Sequence, residues 1–270
     1  MEYCPHIIVM AQTTIENISN RFINEPGYFL GRLGNVEATC LLTGLEGQMR
    51  TNAGLYGAEE ELANFRKIFT RALFACDAFM RVYTCKSFRI CDALMVKLGI
   101  WRPTIPYFEY AGFYLQMLEC LTKNNNKVAI VSHFSEEIKK QIGVLNEVWE
   151  NKYEIDTDNI CVVHAYNTTY ERPHSGYEET LNDLTKRCLD TDATHFFLSC
   201  GAYGMPLGAE LSAKNRNSVY VGGILQIMFG VMGARWDDRK EVAQFMNTYW
   251  VYPSSNKYSA LKSIESGCYI

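Results

Sequence analysis

Residues 195–223 read HFFLSCGAYGMPLGAELSAKNRNSVYVGG. The apolar run 195–200 has the length and composition of a buried strand. It enters a glycine turn, Gly201-Ala202-Tyr203-Gly204. A helix-like segment, 205–214, follows. A second apolar run, 218–221, ends in Gly222-Gly223. Strand, glycine turn, helix and strand form one crossover unit of a parallel sheet, and such crossovers are right-handed.

The same alternation continues toward the N-terminus. Residues 28–32 read as a short strand, with a helix over 36–43. Residues 58–75 carry Leu62, Phe65, Ile68, Phe69, Ala72 and Leu73 at helical spacing on one face. A strand is expected over 79–83 and helices over 88–98 and 112–122. Asn124-Asn125-Asn126 breaks the last of these. Residues 127–132, KVAIVS, read as a buried strand. A single helix is expected over 135–149, with Ser135 as its N-cap. A strand over 160–165 and an amphipathic helix over 176–189 complete the pattern. The expected fold is α/β and Rossmann-like, a mostly parallel sheet with helices on both faces. We expect one domain over 1–270, with a subdivision at the proline-containing stretch 101–107 as the alternative.

Composition narrows the function. The chain has 270 residues, 48% hydrophobic and 21% charged, with a formal net charge of −4. No block of like charge stands out, so a general nucleic-acid-binding role has little electrostatic support. No uninterrupted apolar run approaches the ~20 residues needed to span a bilayer. The opening MEYCPHIIVM lacks a basic segment followed by a long apolar core, so no signal peptide is expected and the location is read as cytoplasmic. The ten cysteines are scattered, with no Cys-x-x-Cys pair, and read as reduced thiols.

Three stretches place polar or glycine residues after an apolar run. In open α/β sheets ligands bind beyond the carboxyl ends of the strands. Gly201 and Gly204 would let the backbone approach a ligand, and a following helix start offers amides and a positive dipole end to a phosphate. The spacing is not Gly-x-Gly-x-x-Gly, and VYVGG carries no acidic residue for a ribose. Tight turns serving only the fold are the competing reading. Ser132, His133 and Phe134 follow KVAIV, where a histidine either donates to a phosphate or satisfies a loop carbonyl. Arg32 and Glu37, in GRLGNVEA, flank a further glycine turn; there a carboxylate holds a cation, acts as a base, or pairs with the arginine. Arg235 and Trp236 either stack on a ligand or fill the core.

Taken together, GRLGNVEA, TNAGLY, VSHFSEEIKKQ, CGAYGMPLGAEL and VGGILQIMFGVMGARW resemble, in this order, a family of α/β proteins related to GT-D glycosyltransferases. The resemblance covers about residues 28–236 and is most specific in the C-terminal run. It implies a Rossmann-like nucleotide-sugar domain and an Asp-x-Glu motif that binds metal and diphosphate. That motif falls on Asn35-Val36-Glu37, so Glu37 matches and Asn35 does not. The resemblance further implies a nucleoside-diphosphate sugar donor, most simply a UDP-sugar, and a hydroxyl acceptor such as a glycan. A divalent cation, Mn or Mg, would be held by Glu37 and Asn35. The substrate-binding set it implies is Arg32, Asn35, Asn52, Gly54, Tyr56, Ser132, His133, Phe134, the Gly201–Tyr203–Gly204 turn with Ala202, Gly222, Gly223, Gln226, Arg235 and Trp236. Glu37 and Glu109 are the candidate catalytic bases. A nucleotide-binding regulator with the same fold and no transfer activity is the alternative.

Overall fold

The computed structural model describes residues 5–45, 47–57, 59–81, 85–106, 111–237, 239–254, 258 and 267. Seven strands form one sheet: β1 (Phe29–Leu33), β2 (Ala78–Arg81), β3 (Thr104–Pro106), β4 (Val128–Ser132), β5 (Ile160–His164), β6 (His195–Ser199) and β7 (Asn217–Tyr220). Their order is β3-β2-β1-β7-β6-β4-β5, and every pairing is parallel. The protein is therefore α/β and Rossmann-like, and all seven carboxyl ends lie along one edge.

Side chains alternate across a strand with a period of two. Leu30, Val128, Ile130, Phe197 and Val219 enter one core, with Phe22, Leu118, Ile138 and Leu225 from the covering helices. Phe29, Leu33, Ala129, Val131, Phe196 and Leu198 enter the other, with Phe65, Phe69, Leu94, Leu184 and Leu207. Both faces of the sheet are thus buried, as the near-continuous apolar strands require.

The crossovers sort by direction. The connections β1→β2, β2→β3, β5→β6 and β6→β7 run one way, and their helices Glu59–Ala75, Cys85–Leu98, Tyr177–Leu189 and Gly204–Ser212 cover the second face. The connections β3→β4 and β4→β5 run the other way, and Gly112–Lys123 and Ser135–Ile142 cover the first. With right-handed crossovers, direction decides the face. The adjacent strands β4 and β6 leave in opposite directions, so the switch point of the sheet lies between them.

Helix Gly204–Ser212 lies close to the sheet because of two glycines one turn apart. A Cβ on Gly204 would stand 2.4 Å from the Tyr220 ring, and one on Gly208 would stand 2.3 Å from the Phe29 ring. Three expectations change. The helix expected over 135–149 is two, Ser135–Ile142 and Leu145–Val148, interrupted at Gly143. Ser135 is the first residue of its helix rather than the cap; Phe134 stands at that position, and no side chain caps it. Residues 104–106, within the stretch read as a boundary, form the edge strand β3, where Pro106 costs no central ladder bond. Helices Pro5–Asn24, Gly47–Asn52 and Ile224–Met228 were not expected.

Candidate functional site

An open cleft of about 600 Å³, its mouth included, lies at the switch point. Arg32 from β1, His133 after β4, Ser199 and Gly201 from the end of β6, and Gly222 after β7 line it. Arg32 and three of the turns singled out in the sequence, those after β4, β6 and β7, therefore meet at one place. Asn52 and Gly223 also line it. The remaining lining residues are Ala53, Tyr166, Asn167, Thr168, Cys200 and Tyr220; these and Ser199 were not in the site set read from the sequence. Tyr166–Thr168 follow β5 just as His133 follows β4. The rule that points to strand ends was available for this segment; what it lacks is a glycine.

The β6 turn is built against the Asn52–Gly54 segment. Gly201 has φ +54, and a Cβ on it would stand 2.7 Å from the Ala53 carbonyl oxygen. That carbonyl accepts from Ala202 N–H at 2.9 Å. Tyr203 N–H donates to Cys200 O at 3.1 Å, and Gly204 N–H donates to Gly201 O. Three amides of the turn, those of Ala202, Tyr203 and Gly204, are thus satisfied within the fold. The glycine at 201 admits a neighbouring backbone, and Gly204 admits an aromatic ring. Gly54, φ +79, is locked on its other side, where Thr168 Oγ1 donates to its carbonyl. One short segment joins the β5 and β6 walls of the cleft.

The β7 turn differs. Gly222, φ +70, faces Arg32, whose guanidinium nitrogen would lie 2.2 Å from an added Cβ. The same guanidinium lies 5.3 Å from the centre of the Tyr220 ring, within cation–π range. Tyr220 Oη donates to Gly201 O at 2.9 Å, which ties the β6 turn to the β7 strand end.

Among the described lining residues Arg32 is the cation and no carboxylate is present. His133 packs on the Phe134 ring at 4.1 Å. Burial, with a smaller contribution from nearby His164, pushes its imidazolium down to about 3, so the ring is neutral at physiological pH. Burial also raises the Cys200 thiol well above its ordinary range, which removes it as a thiolate nucleophile.

The other expected residues sit apart from the cleft. Glu37 is buried in the first turn of Asn35–Thr43, its carboxylate folded back over Gly34. That is the reach of an acidic side chain toward its own helix start. Asn35 Oδ1 is buried without a hydrogen-bond partner among the described residues. Neither residue lines the cleft. Tyr56 is buried, with its hydroxyl 2.7 Å from Thr180 Oγ1. Ser132 Oγ accepts from Phe134 N–H, and Phe134 packs in the core against Tyr258. Ala202 is buried, and Tyr203 stacks on Tyr177 at 4.7 Å. Gln226 donates to Met232 O at 2.6 Å, and Trp236 belongs to the core. Arg235 lies against Trp236. Glu109 lies outside the described residues.

Beside the cleft, Ser135 Oγ lies 2.9 Å from His164 Nδ1, and His164 Nε2 lies 3.1 Å from Glu171 Oε2. The order of groups is that of a nucleophile relay, yet Ser135 is 1% exposed and absent from the lining. It pins the Ser135–Ile142 helix start and the segment after β5 to each other.

No protein-family model matches the chain, and neither do the curated proteins or the solved structures. Among the described residues no helix is long and apolar enough to cross a membrane.

Proposed function

We propose that this chain is a glycosyltransferase that moves a sugar from a nucleoside-diphosphate sugar, most simply a UDP-sugar, to an acceptor hydroxyl such as that of a glycan. The observation that carries the reading is the convergence of three strand-end turns, those after β4, β6 and β7, with Arg32 of β1, on one cleft at the switch point. Open α/β sheets bind ligands at that place. In transfer, the bond between the sugar's anomeric carbon and the phosphate oxygen breaks. A bond to the acceptor oxygen forms, the acceptor proton leaves, and the departing diphosphate needs stabilisation. Arg32 is the group in the lining suited to that charge.

One observation favours the second reading, a nucleotide-binding regulator without transfer activity. A general base must reach the proton it removes. Glu37 is folded over Gly34 away from the lining. Thermal shift against a panel of nucleoside diphosphates and nucleotide sugars tests binding. Release of free nucleoside diphosphate from the bound donor then separates the two. Binding with release supports the transferase, binding without release supports the regulator, and no binding removes both.

A further inference from the structure

The resemblance to GT-D enzymes implies a cation bridging protein and diphosphate, and the residues of this chain do not fit that group. Magnesium in phosphate sites is held through one or two carboxylates together with the substrate oxygens. No Asp or Glu lines the cleft among the described residues, and no group of three His, Cys, Asp or Glu gathers among them. The two oxygens left at the motif position are off the cleft, the Glu37 carboxylate over Gly34 and the buried Asn35 amide oxygen.

What lines the cleft is a different donor set. Arg32 contributes a permanent cation on the rim, held by the Tyr220 face and the space that Gly222 leaves open. Asn52 and Ser199 also line it, one with an amide and one with a hydroxyl that can donate. His133 contributes a neutral imidazole, a single N–H donor rather than a second charge. Arginine forks match phosphate oxygens in two parallel bonds, and neutral amide and hydroxyl donors complete such a site without a metal.

Resting on the nucleotide reading above, we infer that this cleft binds the diphosphate of its ligand without a bridging divalent cation. Arg32 is the principal anion contact, and Asn52 and Ser199 are neutral donors beside it. Binding energy then comes from side chains of the protein itself, and affinity does not follow the concentration of free metal.

The test is calorimetric titration of wild-type protein with pyrophosphate and, separately, with uridine diphosphate. Each is run once in EDTA and once with excess manganese. The expected result is binding in EDTA, with dissociation constants in the two buffers within about threefold of each other. Arg32→Gln should weaken pyrophosphate binding by about tenfold or more in both buffers. Arg32→Lys, which keeps the charge and loses the fork, should fall between. If Arg32→Gln fails to fold, Ser199→Ala supplies the second reading and should cost a few-fold in both buffers. Binding that appears only with manganese overturns the inference while leaving the nucleotide reading intact. A folded wild type that binds neither probe in either buffer overturns both.

Discussion

The turn after β6 and the turn after β7 look alike in sequence, both apolar runs closing on glycine. The structure uses them differently. At Gly201 the missing side chain is replaced by backbone, the Ala53 carbonyl 2.7 Å from the position a Cβ would take. At Gly222 it is replaced by the end of a long side chain, the Arg32 guanidinium. Backbone held by its own hydrogen bonds cannot move aside; a guanidinium on a flexible stem can. The β6 turn therefore belongs to the architecture of the cleft wall, and the β7 turn belongs to the group the wall presents. A glycine at a strand end is informative only once its occupant is known.

The sharpest way to break this comparison is Gly201→Val. A β-branched residue at φ +54 carries about 1–3 kcal/mol of backbone strain, and the clash with Ala53 O adds to it. The Ala202–Ala53 bond that joins the two walls is lost as well. We expect a fall in Tm of several degrees or more, read by calorimetry. A variant with wild-type Tm would mean that the 52–54 segment is not docked on this turn. Gly208→Ala is the next in size. Its Cβ would meet the buried Phe29 ring, and overpacking of this kind typically costs about 1–3 kcal/mol. Gly208 does not line the cleft, so stability should fall while pyrophosphate affinity in the folded fraction stays unchanged.

Gly222→Ala sharpens the comparison from the other side. Alanine at φ +70 costs about 1 kcal/mol, less than Gly201→Val, and its Cβ displaces Arg32. The expected signature is inverted, a small change in Tm with a several-fold loss of pyrophosphate affinity in calorimetric titration. If Gly222→Ala destabilised the protein as much as Gly201→Val, the two turns would be equivalent and the distinction would fail.

The sheet was legible because its strands are short apolar runs separated by clear punctuation. KVAIVS and HFFLSC are buried on both faces, and no amphipathic ambiguity arises. β3 was not, since three residues ending in proline carry no periodicity and are held by pairing with β2. Helix Pro5–Asn24 begins with the β-branched run Ile7-Ile8-Val9, which favours a strand locally, and its packing through Ile18 and Phe22 is a tertiary effect. In the site, Arg32, His133, Gly201 and Gly222 were legible as residues placed at strand ends. Tyr166, Asn167 and Thr168 follow the same rule but lack the glycine that draws attention. Phe134, Gln226 and Trp236 lie beside visible motifs, yet which side of a turn faces solvent is decided by packing that no local pattern records.

The third turn on the cleft, after β4, has no glycine and presents His133 instead. At neutral pH its substitution should have the smallest effect of the series. In the folded protein burial holds the imidazolium down at about 3, while an unfolded histidine titrates near 6.5. Between those values the unfolded state binds more protons than the folded one, so stability falls as the pH drops through that window and is fully retained above it. His195, also lowered by burial, contributes in the same direction. His133→Gln removes one of the two groups. The variant should match wild type in urea denaturation at pH 7.5 and lose less stability than wild type between pH 6 and pH 4.5. Pyrophosphate itself gains a proton in this pH range, so its affinity should fall as the pH drops, and by the same factor in wild type and His133→Gln, because a neutral ring in the cleft adds no charge. A wild-type affinity that rises as the pH falls through 6.5 would show a charged His133 meeting the anion. The β4 turn would then stand with Arg32 as a second cation rather than as a neutral donor.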